Sequence, residues 1–203
     1  MFYETAENKH GLPHDPFKSC IVPRPIGWIS TVNREGVVNL APYSFFNGLA
    51  SDPHLVMFSS NGLKHGEAKD SLTNCRETGE FVVNIATWDL RQEMNVSSGQ
   101  YPAETNEMAT AELEAEASVL VAPPRVKASP IHLECKTHQI IKLPSNNPLE
   151  DNAMVIGQVV GIHINDDVLT DGLVDISKVV PIARMGYMDY TKVESVFSMR
   201  RPK

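Results

Sequence analysis

Short apolar runs broken by Gly, Pro, Asn and Ser dominate the chain, and they predict a mainly β fold. The run Ile26–Val32 carries Trp28 and Ile29, and the turn Asn33–Gly36 leads into a second run, Val37–Ala41. That spacing predicts a hairpin with a loop of about three to five residues containing Gly. A third run, His54–Phe58, ends in Ser59, Ser60 and Asn61, and Phe81–Ala86 reads as a further buried strand. From Ile131 the period becomes two: Ile131, Leu133 and Cys135 alternate with His132, Glu134 and Lys136, with Thr137–Leu143 as partner or continuation. Met154–Ile164 predicts a long strand whose Gly157 and Gly161 suit a bend at a barrel corner. Besides the acidic stretch 104–117, two segments have helical character. One is Ser71–Thr78, opened by Lys69 or Asp70 and stopped by Gly79; the other is Trp88–Ser97, with Leu90 and Met94 four apart.

Polar side chains with little reason to enter a plain core hairpin cluster at these strand ends. They are Ser30 and Thr31, then Asn39, then Tyr43 and Ser44 after the Ala41–Pro42 step. With Ser59, Ser60 and Asn61 they bring hydroxyls and amides to one end of three strands, as a built pocket would. Lys69 and Ser71 lie in the first turn of the helix begun at Asp70, beside its free amides, which makes a ready anion site. Taken alone that turn reads as a capped surface helix with a solvated lysine; with Ser59–Asn61 upstream it reads as a phosphate cradle. Neither GxxxxGK[ST] nor GxGxxG occurs, so no nucleoside triphosphatase or Rossmann site is supported. Arg184, next to Met185-Gly186, would reach a phosphate bidentately, or as a lone arginine form a surface ion pair.

Composition narrows the choice further. The 203 residues allow one large β domain or two small ones, with 42% apolar and 21% charged residues. A net charge of −7 gives no attraction toward nucleic acid or anionic lipid. No apolar stretch is long enough for a membrane span, and the N-terminus lacks the features of a signal peptide. Cys20, Cys75 and Cys135 are scattered and odd in number, which fits a reducing cytoplasm rather than a disulfide framework. Residues 1–17 are expected to form a surface arm, in which Gly11 and Pro13 deny His10 and His14 a helical metal-binding spacing. His132, His138 and His163 fall in or beside strands and are expected in the core or at the surface, with no metal site. The acidic segment 104–117 is expected to be a solvated helical excursion across the barrel, closed by Pro123-Pro124.

The ordered set RPIGWISTVNREGVVNLAPYSFF, a strand ending in Ser-Ser, KDSLTNCRETGEFVVN and PIARMGYMDYT resembles the flavin reductase-like, FMN-binding split-barrel family. The similarity runs from Cys20 to Thr191 and leaves out the acidic excursion. It implies a single domain built on a six-stranded antiparallel Greek-key split barrel with a few short helices, paired as a homodimer with flavin at the subunit interface. By resemblance, Asn39, Ala41, Tyr43 and Ser44 line the isoalloxazine, and Ser30 and Thr31 lie near the ribityl chain. Ser59, Ser60, Asn61, Lys69, Asp70 and Ser71 hold the phosphate, and Arg184 matches the arginine of the family's C-terminal R-x-G-x-x-Y pattern, with Tyr187 or Tyr190, neither of them at that spacing, as the tyrosine. Many members have two consecutive glycines in that tail; here only Gly186 is present, a departure on the nicotinamide side.

The implied activity is hydride transfer from NAD(P)H to FMN, with FAD as the alternative flavin, and reduced flavin passing to a partner monooxygenase or other acceptor. The chemistry would belong to the cofactor. The sequence agrees, having no paired carboxylates, Ser–His–Asp arrangement or activated cysteine. Two other readings share the barrel: an FMN electron carrier reduced by another protein, for which the acidic segment would be a docking site, and an oxidase of the pyridoxamine-phosphate type.

Overall fold

The computed structural model describes residues 1–64 and 66–202. In chain order its strands are β1 (Arg24–Pro25), β2 (Gly27–Val32), β3 (Val38–Tyr43), β4 (Phe46–Ser51), β5 (His54–Ser60), β6 (Glu80–Ile85), β7 (Ala115–Glu116), β8 (Arg125–Val126), β9 (Ile131–Lys142), β10 (Ala153–Ile164), β11 (Leu169–Thr170), β12 (Leu173–Val174), β13 (Ile182–Arg184) and β14 (Tyr190–Lys192). The α-helices are α1 (Asp70–Glu77), α2 (Arg91–Val96), α3 (Glu107–Thr110) and α4 (Ile176–Val179).

Seven strands form one antiparallel sheet in the order β3-β2-β6-β9-β10-β5-β4. The first hairpin is where the apolar runs place it. In its loop the Asn33 side chain accepts hydrogen bonds from the N–H groups of Glu35 and Val37, and Gly36 takes φ +84°. Thr137–Lys142 continues β9. The register of β10 shifts on β9 at Ile156/Gly157 and again at Val159/Gly161, so both glycines mark irregularities that bend the strand. The strand beyond the expected six is β4, whose residues are almost all exposed and carry no alternation a sequence reading could find.

Curling of this sheet makes two apolar layers. Inside, Ile29, Phe58, Phe81, Val83, Cys135 and Val155 pack with Leu72 and Cys75 of α1, which lies against the sheet. Tyr43 of β3 stacks on Phe58 of β5 with ring centroids 4.8 Å apart, so the two arms of the sheet meet. Full burial of Phe58 and Phe81 contributes about 2–3 kcal/mol each by transfer alone. Outside, Trp28, Leu40 and Ala86 are covered by Met94 of α2, Met108 of α3 and Val126 of β8. Both faces of β6 are therefore buried, which explains its unbroken run FVVN.

The excursion departs from expectation. Only Glu107–Thr110 of 104–117 is α-helical, and Glu107 and Met108 are buried rather than solvated. The reason is apolar: Met108 and Leu113 have the outer face of β2, β3 and β6 to cover. Residues 1–16 form no regular helix or strand and are largely exposed, and no helix among the described residues is long and apolar enough to cross a membrane.

Candidate functional site

Where β3, the end of β5 and the start of α1 meet, a cleft of about 310 Å³ opens. Asn39, Ala41, Tyr43, Ser44, Ser59, Asn61, Lys69, Asp70 and Ser71 all line it, so most of the expected site residues converge. Their local causes are simple. Alternation along β3 sends Asn39, Ala41 and Tyr43 to one face. Ser44 and Phe45 turn the chain from β3 into β4. No side chain among the described residues caps α1, so its first turn is left with unsatisfied N–H groups.

Four expected residues do not line this cleft. Ser30 is fully buried, donates to the Pro124 carbonyl at 2.6 Å and accepts from Asn84, a structural tie between β2 and the chain before β8. Thr31 is equally buried, accepting from Asn74 Nδ2 at 2.9 Å and lying 3.4 Å from Asn39 Oδ1. Ser60 is fully buried, and its Oγ has no partner of normal hydrogen-bond geometry among the described residues. Arg184 is elsewhere: it stacks on Tyr190 at 4.5 Å and donates to the Tyr190 hydroxyl and the Tyr187 carbonyl. Its guanidinium makes these bonds within the β13–β14 turn and is not among the residues lining the first cleft.

Arg184 lines a second cleft of about 570 Å³ with His14, Phe17, Arg24 and Tyr187. Lys18 and Ser44 belong to both clefts, which are therefore contiguous. Arg24 braces the junction, donating to the carbonyls of Lys18, Ile21 (2.7 Å) and Met185 (2.9 Å).

Sequence reading missed several groups in the first cleft. Lys18 comes from the arm, and Ser97–Gln100 come from the chain after α2. Lys64 lines the cleft, pairs with Asp70, and lies 3.5 Å from Glu107. Glu107, sent inward by the excursion, accepts from Asn39 Nδ2 at 2.8 Å and from the Leu40 N–H at 3.2 Å. Asn39 Oδ1 in turn accepts from Ser71 at 2.7 Å. The excursion gives only one sequence signal for this, the apolar Met108 beside Glu107.

Charge in the cleft is mixed: Lys18, Lys64 and Lys69 against Asp70 and Glu107. Burial lowers the Lys69 pKa, and the like charge of Lys18 lowers it further. Burial raises that of Glu107 against the opposing pull of its hydrogen bonds and Lys64. The phenol of Tyr43 is pushed up to about 12 by burial, although Ser71 and Ser60 beside it favour ionisation, so it stays protonated. Among the described residues no group of three His, Cys, Asp or Glu is placed to hold a metal. His132 and His163 lie edge to face instead, His132 on the Val126 carbonyl and His163 on Glu134. All three cysteines are free thiols.

Comparison with known proteins gives one consistent answer. The family described as "Flavin reductase like domain" matches residues 19–183. An uncharacterized protein of Aquifex aeolicus is 35% identical over 173 residues, 85% of each chain. The crystal structure of nitrilotriacetate monooxygenase component B from Bacillus cereus superposes with a TM-score of 0.90 at 29% identity, covering 98% of both chains. Flavoredoxin of Desulfovibrio vulgaris (Miyazaki F), at 20% identity, TM-score 0.74 and coverage of 88% and 91%, shares the fold. A split antiparallel barrel with a polar, lysine-bearing cleft at the α1 start is thus found in a chain that belongs to the flavin reductase-like family.

Proposed function

We propose that this chain is a flavin reductase that holds FMN in the first cleft and takes hydride from NAD(P)H. The observation that carries the reading is the donor set of that cleft. It joins two ammonium groups, Lys18 and Lys69, and the uncapped first turn of α1 to the apolar lining residues Ala41, Pro42 and Phe45. A flavin mononucleotide needs those two things together: cations and N–H groups for a phosphate, and a surface for a planar ring.

Bound flavin supplies the redox chemistry, accepting hydride and releasing electrons to an acceptor. The chain's own groups position and screen. Lys69, Lys18 and the α1 amides bind the phosphate, with Ser59 and Asn61 alongside. Tyr43, held protonated, keeps an uncharged wall next to the ring. Ser97–Gln100 close the opposite side and limit water. The second cleft, contiguous through Lys18 and Ser44, takes the nicotinamide nucleotide, with Arg184 on its wall; an FAD would need the same space for its second nucleotide.

Likeness to a monooxygenase component B supports reduced flavin passing to a partner monooxygenase. A carrier docked through the acidic segment is less well supported, since Glu114 pairs with Lys127 and Glu116 with Arg125. We further propose a homodimer; the unpaired edge β4 with exposed Leu49, and exposed Ile162 and Ile164 on β10, give it a surface.

The test is spectroscopic. Purified protein is mixed with FMN, then with NADH or NADPH without oxygen. Bleaching of bound flavin within seconds supports the reductase. Bound flavin that neither nicotinamide bleaches defeats the reductase in favour of a carrier, and absence of flavin binding defeats both.

A further inference from the structure

Resting on the flavin reading, we propose that Ser71 receives a hydrogen bond from an N–H or O–H group of the ligand and does not bind its phosphate, because Glu107 fixes the direction of the hydrogen bonds behind it. Both oxygens of Glu107 face donors only: Asn39 Nδ2 at 2.8 Å, the Leu40 N–H at 3.2 Å and Lys64 Nζ at 3.5 Å. With no acceptor for a carboxyl proton among these neighbours, the carboxylate accepts from all of them. The Asn39 amide is thereby oriented with its NH₂ toward Glu107 and its Oδ1 toward α1. That oxygen takes the proton of Ser71 at 2.7 Å, and Thr31, itself filled by Asn74 Nδ2, lies 3.4 Å away on the same oxygen. The single hydroxyl proton of Ser71 is consumed. The protonated Tyr43 phenol beside it takes at most one of its two lone pairs, and the other is what Ser71 offers the cleft it lines.

A phosphate group has only acceptors to present at neutral pH, and a lone pair facing it repels. A ribityl hydroxyl or the ring N3–H is a donor and fits. The residue that a helix-start reading assigns to the phosphate is therefore assigned to the ring-and-chain portion, and Glu107 is its positioning residue across the cleft. Lys69, two residues earlier and without such a constraint, keeps the phosphate role.

Comparing FMN, riboflavin and lumiflavin separates these assignments. Ser71→Ala should weaken FMN and riboflavin by the same factor, about five- to tenfold for one lost hydrogen bond. It should leave the ³¹P resonance of bound FMN in place. Lys69→Ala should weaken FMN alone and move that resonance. If lumiflavin, which lacks ribityl hydroxyls, is also weakened by Ser71→Ala, the donor is N3–H; if not, it is a ribityl hydroxyl. A ³¹P shift in Ser71→Ala, a loss confined to FMN, or unchanged affinity for every flavin overturns the proposal while leaving the cleft a flavin site. Failure of the unmodified protein to bind FMN overturns both.

Discussion

Asn39 Nδ2 donates to Glu107 Oε1 across 2.8 Å, although 68 positions separate the two residues. This bond ties the excursion to the barrel and sets a carboxylate under the cleft. Its loss leaves buried donors on β3 without an acceptor. Glu107→Ala is expected to cost about 1–3 kcal/mol, measured by urea unfolding. Asn39→Asp sets a second carboxylate against the first, so its deficit relative to the unmodified protein should shrink as pH is lowered from about 8 to 5.

Glu134 offers a contrasting acid dependence. Burial pushes its carboxyl up, but hydrogen bonds from Val119 and Leu120 N–H and from His163 outweigh burial and hold it below the ordinary glutamate range. A lowered folded pKa contributes stability that is present above the unfolded value and lost as pH falls through the folded one. Glu134→Gln should therefore melt lower than the unmodified protein at neutral pH, and the gap should narrow as pH falls below the ordinary glutamate range. An equal gap at neutral and acid pH would contradict this.

Thiol reactivity should divide the cysteines sharply. Burial pushes the Cys75 thiol up to about 12 and raises Cys135 further, while Cys20 is exposed. Reaction with an aromatic disulfide reagent at pH 8 should titrate one thiol in the native state and three in denaturant.

Gly157 faces the Phe81 ring so closely that an added Cβ would lie 2.3 Å from Cζ. Gly157→Ala must displace a fully buried phenyl group, and a loss of about 1–3 kcal/mol is expected from thermal melts. Gly48→Ala, where nothing lies within 4 Å, is the control and should melt near the parent.

The fold was legible because period and punctuation agree: the hairpin at Asn33–Gly36, α1 before Gly79 and the glycine bends of β10 all follow local rules. The cleft was legible in part for the same reason, since Asn39, Tyr43, Ser59 and Ser71 sit on neighbouring elements at strand ends and a helix start. What local rules cannot supply is pairing across long loops. Glu107 sits in a stretch so acidic that solvation is the natural expectation, and only Met108 packing on the outer face of the sheet draws it in. Ser30 and Thr31 stand on the right strand, yet depth is decided by Pro124 and Asn74 lying over them. Arg184 finds its partners within six residues, which a lone arginine in a sequence does not reveal.

Lys18 belongs to two clefts at once, and one ammonium group cannot neutralise two anions fully. Sulfate or phosphate from a buffer, settling beside Arg24 and Arg184, would draw on the same charge that the proposed flavin phosphate needs next door. Apparent flavin affinity will then be a property of the buffer as much as of the protein. Constants measured in phosphate and in an organic sulfonate at equal ionic strength should disagree, with the weaker value in phosphate.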